Sequence, residues 1–148
     1  MPFIETVTSD DSVLAIIVRR DFSDPGLHFF TPGDYSQQLA YMRHPTGKVI
    51  QPHVHNAVRR EVTYTQEVLF IKSGKVRVDF YANDRSYLES RVLETGDVIL
   101  LASAGHGFEM LEETEMIEVK QGPYLEQEDK VKFAGISPEN AIIKEAQD

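Results

Sequence analysis

The 148-residue sequence lacks cysteine, long apolar runs and a surplus of positive charge. Without cysteine it has no disulfide framework, no thiolate zinc site and no thiol nucleophile. With 24 acidic against 15 basic residues the formal net charge is −9, which argues against a surface that binds nucleic-acid phosphates. The apolar runs at 13–18 and 98–102 are too short to span a membrane, and the N-terminus lacks the pattern of a signal peptide. We therefore expect a cytoplasmic protein that binds neither nucleic acid nor membranes.

Short apolar runs separated by turn signals fill most of the chain and predict one all-β domain. Residues 75–81 alternate strictly between apolar and polar side chains, which is the pattern of a strand with one buried face. Tight turns on either side predict three consecutive antiparallel strands at 67–72, 75–81 and 87–93. Residues 98–101 fit a strand buried on both faces. Residues 106–111 and 116–120 are predicted to form the last strand pair.

Three of the five histidines suggest a metal site. His53 and His55 flank Val54, and side chains two residues apart in an extended chain point to the same side. Glu67 begins a strand and shares a face with Leu69 and Ile71; if that face is the interior, the carboxylate needs a compensating cation or hydrogen bonds. His106 begins a later strand that can reach the same place. Three imidazoles and a carboxylate suit one divalent Fe, Mn, Ni, Co or Zn ion, whereas histidines that only hydrogen-bond within the domain are the alternative.

These residues also carry a resemblance to the cupin superfamily. Its first motif is matched by Gly47, His53, His55, Glu67 and Gly74. Its second motif is matched by Gly96-Asp97 through His106. The resemblance implies a small β-barrel, or double-sheet jelly roll, in which His53, His55, Glu67 and His106 are the metal ligands. Eleven residues separate His55 from Glu67, more than cupins usually have, so Glu61 is the alternative carboxylate ligand.

The resemblance also indicates which part of the single domain forms the barrel, and it implies a second copy of the chain as a partner. Residues 1–36 are expected to form strands and turns that pack on the barrel, residues 37–120 the barrel, and residues 121–148 a C-terminal extension. Ser137 and Pro138 predict the start of a short helix in that extension. Many cupins are dimers, and Val68 and Phe70 leave one strand apolar on both faces, so we expect a homodimer.

Further candidates surround the predicted site. Arg59 and Arg60 are candidates for holding a phosphate or carboxylate, although a solvated loop is the simpler interpretation. Tyr64 is a candidate for proton transfer. The remaining candidates for contact with a substrate are polar residues that share a predicted face with the ligands and one apolar wall residue: Gln51, Thr63, Thr65 and Phe108. His28 and His44 are expected to be surface residues without a role.

Two classes of function remain open at this stage. The first is a metal-dependent enzyme, an isomerase or epimerase, that acts on a small oxygen-rich molecule such as a sugar, a nucleotide sugar or a hydroxy or keto acid. With Fe(II) and O₂ the same ligands support a dioxygenase, and a metal-free variant uses a histidine as the general base. The second class is a module that binds or senses a small ligand without turnover.

Overall fold

The protein is all-β, as the sequence predicts, in a computed structural model that describes residues 3–125 and 129–146. Within those residues the regular elements are ten strands and one 3₁₀ turn. Their bounds are β1 Ile4–Ser9, β2 Ser12–Val18, β3 Gly26–Phe29, β4 Ala40–Arg43, β5 Glu67–Ser73, β6 Lys75–Tyr81, β7 Tyr87–Glu94, β8 Val98–Leu101, β9 Gly105–Met110, β10 Glu115–Lys120 and the 3₁₀ turn Pro138–Asn140.

Two antiparallel sheets pack face to face around the core. One has five strands in the order β1-β2-β8-β5-β10, and the other has three in the order β7-β6-β9. A separate two-stranded sheet joins β3 and β4. The core comes from alternate residues on the facing sides of the two large sheets, as period-2 side-chain geometry requires. Its fully buried members include Val7, Ile17, Ile71, Val76, Val78, Phe80, Leu93 and Ile99.

The predicted strands are present, but two predicted pairings are wrong. Strand β6 pairs with β7, whereas β5 pairs with β8 and β10. The turn at Gly74 therefore carries the chain from one sheet to the other. Strands β9 and β10 are also separated, because β9 pairs with β6 and β10 with β5. A short turn makes a hairpin only when the two strands that it joins pair with each other. Here β5 and β6 lie in opposite sheets, where the apolar face of each strand is buried in the core between the sheets.

One side of the sandwich is closed by charged side chains. Glu5 of β1 accepts a hydrogen bond from Arg91 of β7 at 2.6 Å, which links the edges of the two sheets. Glu5 also pairs with Arg19, and Arg19 donates to Asp97 at 3.1 Å. We call this the closed side.

The opposite side of the sandwich is open, and the expected closed barrel is not observed. Strands β9 and β10 lie at the edges of their sheets, and neither has a second strand neighbour within the described residues. Residues 44–65, which we call the arm, contain no strand, and every one of them is exposed. Because this long stretch adds no strand to either edge, the sheets stay open. We call the side bounded by β9 and β10 the open side.

The terminal segments are parts of this same unit. Strand β2 pairs with β8 inside the five-stranded sheet, so the N-terminal strands belong to the sheet and do not merely pack on it. In the C-terminal extension the Ile142 amide donates to the Tyr87 hydroxyl at 2.8 Å. The predicted helix is the single 3₁₀ turn, with Ser137 at its N-cap. No helix among residues 3–125 and 129–146 has the length and apolar character needed to cross a bilayer.

Candidate functional site

Glu67 and His106 meet on the open side. Glu67 starts β5 on the face that also carries Leu69 and Ile71, and His106 lies opposite Phe80 on β6. Both side chains therefore point between the sheets. Glu67 Oε1 lies 2.7 Å from His106 Nε2, with the side chains 14% and 28% exposed. Each sheet thus contributes one polar group, and the two groups meet directly.

Two charged residues of β10 complete this cluster, and neither was predicted from the sequence. In the β5–β10 register Lys120 is opposite Glu67 and Glu118 is opposite Leu69. Residues in register share a face, so Glu118 and Lys120 point to the same side as Glu67. Alternation along β10 places Glu118 and Lys120 on the same face as the apolar Met116, which is a sequence signal that both could point inward. Glutamate and lysine usually face solvent, so this pattern alone does not predict their position.

The pKa values of the two carboxyl groups in this cluster are shifted in opposite directions. The hydrogen bond with His106 lowers the pKa of Glu67 to about 2, against the effect of burial, with further lowering from hydrogen bonding to Glu118 and from the charge of Lys120. The pKa of Glu118 is raised, first by its hydrogen bond with Glu67, then by burial and by the negative charge of Glu67. The arrangement therefore places an ionised carboxylate beside a carboxyl group that holds its proton more tightly than an ordinary glutamate.

Apolar side chains flank the cluster. Phe108 lies two residues after His106 on β9, and the two ring centroids are 5.6 Å apart. Phe108 and Met116 are half-buried and pack against the core. Phe108 therefore lies beside His106, and its role as a contact for a substrate stays a prediction.

A polar clamp fixes the chain just before Glu67. Gln66 is buried, and its side-chain oxygen accepts hydrogen bonds from the Ser36 hydroxyl at 3.2 Å and the Gln37 amide at 3.1 Å. The side-chain oxygen of Gln121 accepts a hydrogen bond from the backbone amide of Gln66 at 2.8 Å, and its side-chain nitrogen donates to the Ser36 hydroxyl at 2.8 Å. The point where the arm ends and β5 begins is therefore held in place.

His53 and His55 lie close to each other on the arm. Their ring centroids are 5.3 Å apart. His53 Nδ1 is 2.8 Å from the Gln51 carbonyl oxygen. A ring nitrogen that faces a carbonyl must carry the proton, so the neutral imidazole keeps its lone pair on Nε2, the arrangement that metal-binding histidines use.

Within one chain the structure does not assemble the predicted ligands into one site. Across residues 3–125 and 129–146, no three His, Asp or Glu side chains are grouped so that they can hold a metal ion. The donors form two halves, Glu67 with His106 on the open side and His53 with His55 on the arm. The Glu67–His106 separation of 2.7 Å is that of a hydrogen bond, and the two atoms would move apart to the roughly 3 Å that separates adjacent ligands of an octahedral ion at bonds of about 2.1 Å. The donor set therefore fits a metal chemically, provided that the two halves meet.

The other predicted site residues lie on the arm and are exposed. They are Gln51, Arg59, Arg60, Glu61, Thr63, Tyr64 and Thr65. The Thr65 hydroxyl donates to Asp129 of the C-terminal extension. Arg60 donates to the carbonyl of Val58 at 3.4 Å. How near these side chains come to Glu67 therefore depends on whether the arm packs against the open side of a sandwich.

A cavity lies away from this cluster, beside the two-stranded sheet. This cavity of about 530 Å³ is lined by Ile4, Phe22, Leu27, His28, Phe29 and Phe30. Phe22 packs edge-on against Tyr41 and Phe30, with centroids 4.9 and 5.3 Å apart. His28, to which we assigned no role, lies 2.9 Å from the Pro25 carbonyl oxygen. The aromatic packing accounts for this region structurally.

Comparison with known proteins does not assign this chain to a family. No family model matches the sequence, and neither a curated protein nor a solved structure matches it. The fold and the site therefore define an all-β protein with a carboxylate–imidazole cluster between two sheets, and its function must be inferred from that geometry.

Proposed function

We propose that this chain binds one divalent first-row metal through His53, His55, Glu67 and His106, and uses it to act on a small oxygen-rich molecule. The contact between Glu67 and His106 is the observation that carries the proposal. It places an ionised carboxylate and an imidazole at 2.7 Å between two sheets, beside a face open to solvent. A bound metal of this kind polarises a carbonyl oxygen.

The surrounding residues suit a small oxygen-rich substrate. Lys120 lies beside Glu67 and supplies a positive charge for a carboxylate or phosphate. Glu118 is placed to give or take a proton, and Phe108 supplies an apolar wall. Such a set favours proton transfer next to a carbonyl, the chemistry of isomerases and epimerases acting on sugars or keto acids.

Cobalt binding to the untagged protein tests the metal site. We expect about one Co²⁺ per chain by equilibrium dialysis, and a loss of affinity of about 100-fold or more in Glu67→Ala and in the double variant His53→Ala/His55→Ala. His44→Ala is the matched control, because His44 is also an exposed histidine of the arm. Binding that survives both site variants would contradict the proposed ligand set.

Solvent exchange tests the proposed reaction. In D₂O, an isomerase or epimerase of this kind incorporates deuterium at the carbon next to a substrate carbonyl, which NMR detects across a panel of sugars and keto acids. Consumption of O₂ with Fe(II) and the same panel indicates the dioxygenase instead. A ligand that raises the melting temperature while no compound turns over indicates a binding or sensing module.

Metal-free proton transfer is the second candidate, and the same contact favours it. Glu67 can hold the His106 imidazole in one tautomer, as the orienting carboxylate of a general base does. This candidate predicts that exchange activity survives treatment with a chelator and disappears in His106→Ala. The metal-dependent function predicts that the chelator abolishes the exchange and that added Co²⁺ restores it.

A further inference from the structure

The arm exposes more apolar surface than a solvated loop requires. Its exposed large hydrophobic residues are Val49, Ile50, Val54, Val58, Val62 and Tyr64. Val54 is 88% exposed and Tyr64 is 80% exposed. Large hydrophobic side chains this exposed along one segment indicate a surface that another molecule covers.

The arm also has the alternating side-chain pattern of a β-strand, although it pairs with no described strand of its own chain. In an extended chain, Ile50, Val54 and Val58 fall on one side, and His53 and His55 fall on the other. The arm thus offers an apolar face and an imidazole face.

The accessible surface of the whole chain is too large for a compact monomer. It measures 10449 Å², whereas a folded monomer of this mass exposes about 7,650 Å². Full exposure of the seven residues outside the described ranges accounts for about 1,250 Å² of the difference at most. The remaining excess, about 1,550 Å² or more, falls within the roughly 1,000–2,500 Å² per partner that obligate dimers bury.

The open side has the features that such an arm needs. Strands β9 and β10 have free edges within the described residues, and a free edge can pair with an added strand. On the outer face of the five-stranded sheet, Phe70, Ile117 and Val119 are 40%, 52% and 55% exposed. Ile117 lies opposite Phe70 in the β5–β10 register, so these side chains form one apolar patch beside the β10 edge.

The arm and the rest of the chain also have opposite charge. The arm carries Lys48, Arg59 and Arg60 against Glu61, a net charge of +2, and the total of −9 leaves −11 on the rest of the chain. Part of that negative charge lies on the open side, on four glutamates of β10 and the turn before it: Glu112, Glu113, Glu115 and Glu118. Electrostatic attraction therefore favours arm-to-open-side contact.

We propose that two copies of this chain exchange their arms, so that His53 and His55 of one copy meet Glu67 and His106 of the other. The inference rests on the proposed metal site and names a second copy of the chain as the partner that completes it. Within one chain, over the residues that the structure describes, the two donor halves stay apart. Exchange joins them while covering the apolar side of the arm in both copies, as a two-fold symmetric interface does.

Complementation between two inactive variants tests the exchange. One variant is His53→Ala/His55→Ala, and the other is Glu67→Ala/His106→Ala. Each alone is expected to lose Co²⁺ binding. Refolded together, they form mixed dimers in which one site has all four ligands, so about one quarter of the wild-type Co²⁺ content returns per chain. If wild type binds Co²⁺ and the mixture does not, the exchange is overturned while the proposed metal site stands.

Sedimentation tests the exchange separately from the metal. We expect a dimer for the wild type and a monomer for Val54→Asp/Val58→Asp, whereas Val131→Asp, exposed but outside the arm, keeps the dimer. Because these positions are exposed, the substitutions leave the folded chain intact, which circular dichroism checks. A monomeric wild type, or a dimer that the arm variant does not dissociate, overturns the exchange whether or not Co²⁺ binds. Absence of Co²⁺ binding by a wild-type dimer removes the proposed function instead.

Discussion

The closed and open sides of the sandwich differ in the residues that pair with an inward-facing glutamate. Each places one glutamate between the two sheets, Glu5 on the edge strand β1 and Glu67 on β5, next to the edge strand β10. On the closed side Glu5 is 5% exposed and is shared by two arginines, and on the open side Glu67 pairs with one half-buried histidine. Arginine stays charged at every physiological pH, whereas histidine titrates and binds metals. The closed side is therefore suited to stabilising the fold, and the open side offers the kind of group that proton transfer or metal binding uses.

The surroundings of the two glutamates reinforce this difference. On the closed side Arg91 also pairs with Glu89 at 2.8 Å, and Asp97 accepts backbone hydrogen bonds at 2.8 and 2.9 Å. Each charge there has its partners within the chain. On the open side the neighbours of Glu67 are a second carboxyl group, Glu118, and the positive charge of Lys120. Carboxyl groups with pKa values perturbed in this way cluster at functional sites.

The largest expected effect comes from breaking the closed side. Glu5→Ala leaves Arg19 and Arg91 without a shared partner, so we expect a loss of about 3–5 kcal/mol in the free energy of unfolding. Urea unfolding measures it. Glu94→Ala is the control, because Glu94 pairs with Lys75 on the surface at 3.5 Å and should cost less than about 1 kcal/mol. Equal costs for the two variants would show that the closed side is not a stabilising network.

The turn that separates the two sheets is the next most sensitive point. Gly74 has φ 98°, and a Cβ there meets Thr114 Cα at 2.7 Å and the Glu113 carbonyl oxygen. We expect Gly74→Ala to cost about 2–4 kcal/mol from backbone strain and overpacking together. Gly47 on the arm has φ 88°, and no atom lies within 4 Å of the place that a Cβ would take, so Gly47→Ala should cost about 1 kcal/mol. Urea unfolding of both variants separates steric crowding from strain.

Acid should weaken the closed side through Glu5. Burial acts to raise its pKa, but the hydrogen bonds and charges of Arg19 and Arg91 outweigh burial and hold the pKa below the usual 4.5. A carboxyl group whose folded pKa is depressed stabilises the fold above its unfolded pKa, and this stabilisation is lost as the pH falls below about 4.5. The expected result is a falling free energy of unfolding below about pH 4.5 whose slope is smaller in Glu5→Gln. An identical pH dependence in that variant would contradict this assignment.

The smallest effect on stability is expected on the open side. Glu67→Ala removes a carboxylate whose folded pKa of about 2 shows that its ionised form stabilises the fold through the half-buried His106, so the free energy of unfolding should fall by about 1.5–3 kcal/mol. Thermal unfolding in the presence of a chelator measures this without a metal contribution. A loss as large as that of Glu5→Ala would make Glu67 a structural residue and would weaken its functional assignment.

The sequence predicted local features well and long-range pairing less well. Alternation located the strand at 75–81 and the inward side of Glu67, because the period of two is a property of the backbone itself. The pairing of β5 with β10 escaped prediction, because a turn at Gly74 specifies a change of direction and not the sheet that the next strand joins. Glu118 was missed for a related reason, since its role depends on the register between β5 and β10.

The arm shows a different limit. Residues 53–55 have a pattern that predicts an extended segment with both imidazoles on one side, but that segment pairs with none of the described strands of its own chain. A pattern within one sequence reports which side of a strand is apolar, and does not report which molecule covers it. The four-ligand site therefore stays a prediction, with only the contact between Glu67 and His106 observed.

The most direct test of the account is NMR of the histidine side chains during titration with Co²⁺. The five histidines give few signals, and His28 and His44 serve as internal controls. The account predicts that the imidazole signals of His53, His55 and His106 shift or broaden together as Co²⁺ approaches one equivalent, while those of His28 and His44 stay in place. A perturbation of His106 without the two arm histidines would contradict the claim that the arm completes the site.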